Sequence, residues 1–288
     1  MNSLQKEYDR FGPWLLEVHC QEDVPPLFRE YYMYDASKVK MVLKIPVKIE
    51  RRNANPGDVL YNSLVSFGHN EVVVYELKEK RVSEKRITYA DIYSIQNCHN
   101  LLKGELIFFA KSGKEIIQYN TVSHRIIDQV VDFLRIEYLK DSEDFFQPHR
   151  AYVAKITNHL FQNLLNEMEQ REQINILGFQ PILYLELMKK KWYEYIWDIY
   201  NKYMLQNTMF LENGKELIVI SKQHPLKRRL DTDYSYIHTY IPFKNIQDVH
   251  CVANEKFMGI IQLKFKMEGE ILSFFVNQKL KIDELLPL

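Results

Sequence analysis

How this chain folds is decided by one stretch, Arg86 to Leu139, whose centre reads Leu106-Ile107-Phe108-Phe109-Ala110-Lys111-Ser112-Gly113-Lys114-Glu115-Ile116-Ile117-Gln118-Tyr119. Two apolar runs of strand length joined by a short turn that contains glycine predict a β-hairpin. After Thr121 the apolar spacing becomes helical, which predicts an amphipathic helix with Ser123 as its N-cap. The stretch is therefore a strand-rich module that ends in a helix.

Most of this stretch occurs a second time near the C-terminus. Three matched pairs lie at an almost constant offset of 154 or 155 residues: Ile92 with Ile246, Ile95 with Val249, and Gly104 with Gly259. Two upstream blocks repeat in the same order, residues 71–75 with 216–220 and residues 46–50 with 181–186. Self-similarity in the same order predicts two copies of one domain.

The composition argues against several classes of protein. Hydrophobic residues make up 46% and charged residues 26%, which is typical of a globular chain with enough apolar material for two cores. Lys and Arg number 38 and so do Asp and Glu, so the chain lacks the positive field that nucleic-acid binding requires. The cysteines Cys20, Cys98 and Cys251 lack CxxC spacing, which indicates reduced thiols in the cytoplasm. We also expect no secretory signal and no membrane-spanning segment.

The predicted organisation has four parts. Residues 1–39 form an aromatic arm that packs on the first domain, with a partner-docking surface as the alternative. The first domain covers residues 40–140, a linker helix covers 148–172, and the second domain covers 173–288. Because the second copy ends too early for a long closing helix, we expect the linker helix to cover its open end.

The order of these elements resembles the pleckstrin-homology-like (PH-like) superfold, in particular its bacterial members. The resemblance is carried by a Tyr-x-Asp-Ile-x-x-Ile strand at residues 89–95, a Gly-x-Leu-x-Phe hairpin at residues 104–108, and the helix that follows. It implies an α+β fold of two tandem PH-like domains, each a bent, partly open antiparallel barrel, the first capped by its C-terminal helix. Such domains bind anionic headgroups, peptides or proteins, and the fold does not choose among them. Beyond Arg51 and Arg52, the basic loop of phosphoinositide-binding members is not evident.

The sequence predicts no catalytic residue, no cofactor and no metal site. The nine glycines form neither a P-loop nor a GxGxxG cradle. His99 beside Cys98 and His250 beside Cys251 are expected to be loop residues without a metal. Asp91 is replaced by asparagine in the second copy, which favours a turn-forming role over acid–base chemistry.

Two segments are candidate binding surfaces. The first is a basic cluster of the second copy, whose counterpart in residues 78–86 is interleaved with glutamates and is predicted to be a hairpin tip with a solvated face. The second is an insert at residues 189–203, whose aromatic residues follow three lysines and suit a buried stripe, a domain or partner interface, or a membrane interface. The candidate residues are Lys222, Lys227, Arg228, Arg229, Trp192, Tyr193, Trp197 and Tyr200.

The sequence therefore predicts a cytoplasmic, non-enzymatic binding or scaffolding protein. Its PH-like domains would serve protein–protein interaction, with a protein partner or a homo-oligomer and without nucleic acid. One alternative is a peripheral protein that binds anionic lipid through the 189–203 insert and the 227–229 cluster. The other is an enzyme with a site between the domains.

Overall fold

The computed structural model describes residues 3–12, 14–79, 81–140, 142, 156–188 and 202–280. Over these residues the chain is an α+β structure dominated by antiparallel sheets. It divides into two compact units. The first comprises Met1–Ile92 and Leu101–Lys140, and the second comprises Tyr93–Asn100 and Asp141–Leu288.

The described residues contain three α-helices and eighteen strands. Up to residue 140 these are α1 (Ser3–Arg10), β1 (Leu16–Glu17), β2 (Val39–Pro46), β3 (Tyr61–Gly68), β4 (Glu71–Lys78), β5 (Arg81–Thr88), β6 (Ile92–Asn100), β7 (Lys103–Ala110), β8 (Gly113–Asn120) and α2 (His124–Leu139). After residue 140 they are α3 (His159–Glu169), β9 (Asn175–Gln180), β10 (Leu183–Tyr184), β11 (Tyr203–Leu205), β12 (Thr208–Glu212), β13 (Glu216–Ser221), β14 (Leu226–Arg228), β15 (Tyr236–Pro242), β16 (Asp248–Ala253), β17 (Ile260–Met267) and β18 (Glu270–Asn277).

The first unit is organised around an antiparallel sheet in which β1 to β5 lie in chain order. Strands β2, β3 and β4 each carry a run of buried residues, whereas the edge strand β5 is mostly exposed. The predicted hairpin is confirmed as β7–β8, in which Leu106 lies opposite Ile117. The predicted helix is confirmed as α2, whose buried face includes Ile127, Val130 and Leu134. The stretch that decides the fold thus forms the elements that its periodicity predicts.

Two local predictions in this unit were wrong. Ser123 does not cap α2, because its hydroxyl accepts a hydrogen bond from the backbone amide of Leu15 at 3.1 Å. Asn120 instead caps the turn before the helix by accepting a hydrogen bond from the amide of Val122 at 3.0 Å. The charged run 78–86 is largely strand β5 and not a hairpin tip, because residues 81–88 pair with β4 along their whole length.

The N-terminal arm of the first unit lies on its sheet. Val24 and Phe28 are fully buried in one cluster with Leu64 of β3. The Lys44 ammonium of β2 reaches the same arm and donates a hydrogen bond to the carbonyl oxygen of Asp23 at 3.0 Å. Burial lowers the pKa of Lys44. The arm is thus held by apolar packing and by a buried cation.

The second unit contains three antiparallel sheets. The largest has the neighbouring strands β6, β15, β13, β12 and β9, and the smaller ones have the orders β10-β11-β14 and β16-β17-β18. Helix α3 packs on β9 through Phe161 and Phe179, whose ring centroids are 5.9 Å apart. Its N-cap Asn158 accepts a hydrogen bond from the amide of Leu160 at 3.0 Å. Of the predicted linker helix, residues 148–155 lie outside the described residues.

The internal repeat is visible in the order of the strands. The order β2-β3-β4-β5 of the first unit corresponds to β9-β12-β13-β15 of the second. A short 3-10 turn at Tyr89–Asp91 corresponds to one at Phe243–Asn245, 154 residues later. Strands β10, β11 and β14 are additions of the second unit, and they carry the candidate site.

The predicted loop positions of the two His-Cys pairs were wrong. Cys98 and His99 lie in β6, and His250 and Cys251 lie in β16. The short polar segment around Cys98 is extended because it pairs with β15, where Cys98 lies opposite Ile237. Such a distant partner leaves no local pattern in the sequence.

Candidate functional site

The candidate site is built on the paired strands β11 and β14 of the second unit. In this antiparallel pair Tyr203 lies opposite Arg228, and Met204 lies opposite Lys227. Leu205 at the far end is fully buried and anchors the pair in the apolar core. Because successive side chains of a strand point to opposite faces, Tyr203 and Arg228 share one face of the pair and Met204 and Lys227 share the other. The outer end therefore presents the Tyr203 ring beside the Arg228 guanidinium.

A tight turn after β14 fixes the basic residues. The Asp231 carboxylate accepts a hydrogen bond from the backbone amide of Arg228 at 3.1 Å. The Lys227 ammonium donates to the carbonyl oxygen of Asp231 at 2.8 Å, which folds that side chain back along the turn. The backbone amide of Arg229 donates to the carbonyl oxygen of Lys202 at 2.9 Å. These bonds bring four cationic residues to the same end of the sheet.

A second turn contributes a fifth cation. The side-chain oxygen of Asn254 accepts hydrogen bonds from the amides of Lys256 and Phe257, each at 2.9 Å. This local bonding is typical of an asparagine-stabilised turn. It places the Lys256 ammonium 4.2 Å from the ring centroid of Tyr203. The ring in turn contacts buried Phe257, with centroids 5.2 Å apart.

The phenol of Tyr203 lies between two cations. The Arg228 guanidinium is 5.4 Å from the Tyr203 ring centroid and donates to the phenolic oxygen at 3.4 Å. Arg228 and Lys256 together lower the pKa of Tyr203. A positive potential of this kind favours the phenolate, and it attracts any other anion equally. In its protonated form the phenol can also donate a hydrogen bond.

The surface formed by Lys202, Tyr203, Lys227, Arg228, Arg229 and Lys256 is called the basic surface below. Across the described ranges, no carboxylate lies within 4 Å of the charged groups of its five cations. The nearest acid in the turn is Asp231, which is engaged with the backbone amide of Arg228. The basic surface is therefore rich in positive charge that the described residues do not pair.

The corresponding cluster of the first unit is arranged differently. On β5, Arg86 lies 2.6 Å from both Glu71 and Glu84, and Lys85 lies 2.9 Å from Glu115. Glu84 is interleaved in the run 78–86, as the alternation of charges indicates, whereas Glu71 and Glu115 come from β4 and β8. The cations of β5 are thus paired with carboxylates, whereas described carboxylates do not pair with those of the basic surface. The basic surface is therefore the better candidate for binding an anionic partner.

The structure brings together only part of the predicted site. Lys227, Arg228 and Arg229 belong to the basic surface. Lys222 is half-buried and donates to the carbonyl oxygen of Asp233 at 3.4 Å. Burial lowers its pKa, and the neighbouring Asp233 opposes that effect. The remaining four predicted residues lie outside the described residues: Trp192, Tyr193, Trp197 and Tyr200.

Both described ends of the predicted insert reach the basic surface. On the N-terminal side, the backbone amide of Met188 donates to the carbonyl oxygen of Lys256 at 3.0 Å. On the C-terminal side, Lys202 is bonded to Arg229 and Tyr203 begins β11. The 189–203 insert and the 227–229 cluster, which the sequence offers as separate candidate surfaces, therefore meet at the basic surface.

Sequence reasoning missed Lys256, and it covered Lys202 only as an unnamed member of the 189–203 insert. Each is a single cation in an otherwise mixed segment, and no local motif marks either of them. The sequence did contain one signal: Asn254 lies two residues before Lys256, and asparagine is common in tight turns. That signal predicts the turn, but not the tyrosine against which the lysine packs.

Metal ligands do not converge in the part of the chain that the structure describes. No group of three or more His, Cys, Asp or Glu side chains is placed there to hold an ion. Among the described helices, none combines the length and the apolar content that a bilayer crossing requires.

No protein-family model matches this chain. A search of curated proteins finds no match either.

Proposed function

We propose that this protein is a non-enzymatic binding protein that attaches to anionic membrane surfaces through the basic surface of its second unit. The observation that carries the proposal is the pair of cations Arg228 and Lys256 at Tyr203, with Lys202, Lys227 and Arg229 at neighbouring positions of the chain, for which the described residues supply no carboxylate within 4 Å. Uncompensated surface cations cost little in water, and they gain free energy next to a negative surface.

The chemistry of the site suits phosphate groups. Arg228 offers a planar set of donors, and Lys256 offers a compact ammonium on the other side of the ring. The phenol of Tyr203 adds a neutral donor between them. Hydrogen bonds from charged donors to phosphate oxygens are stronger than those between neutral groups. The lowered pKa of Tyr203 supports the same conclusion, because hydrogen bonds from Arg228 and Lys256, and then their charges, favour a negative oxygen at this point.

The strength of such attachment can be estimated. Each Lys or Arg close to an anionic leaflet contributes about 1 kcal/mol, and the effect falls off within about 10 Å at 0.1 M salt. Five cations therefore support weak, reversible association that salt weakens. Stable anchoring needs a second contribution, such as inserted apolar side chains.

We further propose that both units are PH-like domains. The support is the shared order of four antiparallel strands, the 3-10 turn that recurs 154 residues later, and the terminal β-hairpins β7–β8 and β17–β18. The helix α2 after the first hairpin fits the same architecture. The second unit would then be a variant of the domain with the basic surface added.

Co-sedimentation with vesicles tests the proposed function. Purified protein is mixed with vesicles of phosphatidylcholine alone or with added phosphatidylserine, over a series of salt concentrations. We expect binding to the anionic vesicles only, and less of it as salt rises. The double variant Arg228→Gln, Lys256→Gln removes two of five cations and is expected to bind about thirtyfold more weakly, equivalent to about 2 kcal/mol.

A matched variant controls for overall charge. Lys266 and Lys279 are exposed lysines of the second unit that lie outside the basic surface. Lys266→Gln, Lys279→Gln changes the net charge equally, and we expect nearly wild-type binding from it. Equal loss in both double variants would show a diffuse charge effect and contradict the proposed site. Absence of binding to anionic vesicles at low salt would contradict the function itself.

A further inference from the structure

The turn that follows β14 at the basic surface has an apolar residue at its tip. The backbone amide of Asp231 donates to the carbonyl oxygen of Arg228 at 3.1 Å, which makes Arg229 and Leu230 the central residues of a β-turn. Glycine, proline, asparagine, aspartate and serine dominate such turns, whereas Leu230 is 72% exposed. The tip therefore presents a leucine to solvent directly beside the arginines of the basic surface.

Two exposed methionines lie at the same end of the sheet. After β10 the chain runs past the outer end of β11, because the amide of Leu185 donates to the carbonyl oxygen of Tyr203 at 2.9 Å. Just beyond, Leu187 forms an isolated antiparallel bridge with Phe257. Each bridge partner is followed by an exposed methionine: Met188 at 56% and Met258 at 60%. The outer end thus combines its cations with three exposed apolar side chains.

This combination matches the chemistry of an anionic bilayer. Exposed apolar residues that are scattered singly need no explanation, whereas a group of them among polar residues indicates an interaction site. Peripheral membrane segments hold their cations at the headgroups and bury apolar side chains about 5–10 Å deep, at the acyl boundary. A protruding turn tip needs a matching pocket on a protein partner, whereas lipids rearrange around it. The tip therefore favours a bilayer over a protein.

The neighbouring charges distinguish Leu230 from the methionines. The segment 226–231 contains three cations and one acid. Met258 lies near two exposed glutamates, because its amide donates to the carbonyl oxygen of Glu186 at 2.9 Å and Glu255 lies three residues earlier. An anionic leaflet repels carboxylates and attracts cations. Leu230 is therefore the apolar residue best placed to enter the bilayer.

We propose that Leu230 is a membrane-inserting residue, which enters the headgroup region of an anionic bilayer while the cations of the basic surface bind phosphate groups. This inference rests on the proposed attachment to anionic membranes. It adds an apolar contribution to the electrostatic one. Salt screens the attraction between charges but does not screen apolar contact, so the effect of the leucine should persist at high ionic strength.

Co-sedimentation of the full chain with vesicles tests this role. Leu230→Ser should bind vesicles that contain phosphatidylserine about tenfold more weakly, because the bilayer then buries less apolar area. This loss should be the same at low and high salt, whereas the loss in Arg228→Gln, Lys256→Gln should shrink as salt rises. Ile271→Ser is the matched control, since Ile271 is exposed and lies opposite Lys266 in the β17–β18 hairpin. It should bind like the wild type.

A fluorescent label at the tip reports insertion directly. Leu230→Cys is introduced into a chain that carries Cys20→Ser, Cys98→Ser and Cys251→Ser, and it is labelled with the fluorophore NBD. Circular dichroism checks that this chain folds. Lipids that carry a nitroxide on the acyl chain should quench the label on vesicles with phosphatidylserine. The same label at Ile271→Cys should not be quenched.

The proposed function and this inference fail in different ways. If the wild-type protein does not bind anionic vesicles at low salt, the function is contradicted, and the inference with it. If the wild type binds, but Leu230→Ser binds equally tightly or the label at residue 230 is not quenched, insertion is overturned. Attachment by charge then remains, and the tip is better assigned to an acidic protein partner. Equal quenching at residues 230 and 271 would also overturn the assignment to Leu230.

Discussion

Tyr203 is the residue on which the candidate site depends. Its ring rests on buried Phe257, and Lys256 and Arg228 lie 4.2 Å and 5.4 Å from its centroid. Cations held over an aromatic face are stabilised by the ring quadrupole. The ring therefore positions two positive side chains that would otherwise extend freely into water.

The pKa of Tyr203 gives the first prediction. Arg228 and Lys256 lower it from the ordinary value of about 10. Arg228→Gln, Lys256→Gln should raise it toward that value, which ¹³Cζ-tyrosine NMR can follow once Tyr203→Phe has assigned the resonance. The pKa of Tyr203 is lower in the folded state than in the unfolded chain. Its ionisation therefore stabilises the fold fully only above the unfolded pKa of about 10, and this stabilisation is lost as the pH falls through the folded-state pKa. An unchanged pKa in the double variant would contradict the proposed arrangement.

Asp35 gives a prediction at acid pH. The hydroxyl and the amide of Ser37 donate to its carboxylate at 2.6 and 3.0 Å, and Lys38 lies at 3.1 Å. These contacts lower its pKa to about 2. The stabilisation is fully present above the unfolded pKa of about 4, and it is lost as the pH falls through 2. NMR titration of the carboxyl should show this, and Ser37→Ala should raise the pKa. A wild-type value near 4 would exclude these contacts.

Ser123, directly before α2, makes a long-range contact that the sequence does not predict. Its position before α2 suits an N-cap, yet its hydroxyl is bonded to Leu15 of the N-terminal arm. The sequence predicts the helix correctly from its apolar spacing. It does not predict the contact with the arm, because that contact joins residues 108 positions apart.

The arm contact is testable by a pair of substitutions. Ser123→Ala leaves the buried amide of Leu15 without its partner, and it should lower the free energy of unfolding by about 1 to 3 kcal/mol in urea denaturation. Ser123→Asp should be no better, because a carboxylate would be buried against the arm. An N-cap role predicts instead that Asp restores stability. The exposed turn residue Ser112 provides a control, since Ser112→Ala should change little.

At the level of elements, the predictions succeeded where the signal was local. Hairpin β7–β8 and helix α2 follow from the apolar pattern between Leu106 and Tyr138. Strands β6 and β16 were misassigned around their His-Cys pairs. Strand β16 pairs with the next strand, β17, whereas the extended conformation of β6 follows from its pairing with the distant strand β15, which leaves no local signal. The basic surface was predicted at Arg228 and missed at Lys256 for the same reason. Its members come from two turns that only the fold brings together.

For the whole molecule, zero net charge conceals an uneven distribution. Cations on β5 are paired with carboxylates at 2.6 to 2.9 Å, whereas described carboxylates do not pair with those of the basic surface. A balanced total therefore does not exclude a local positive field.

The most direct test of the central claim uses Tyr203 as a reporter at the site. Its assigned ¹³Cζ resonance is recorded with nanodiscs of phosphatidylcholine alone and with nanodiscs that also contain phosphatidylserine. We predict that only the anionic discs shift this resonance and raise the pKa of Tyr203, because phosphate and carboxylate groups then offset the field of Arg228 and Lys256. If the protein binds the anionic discs while Tyr203 is unaffected, the membrane-binding site lies elsewhere and the account is contradicted.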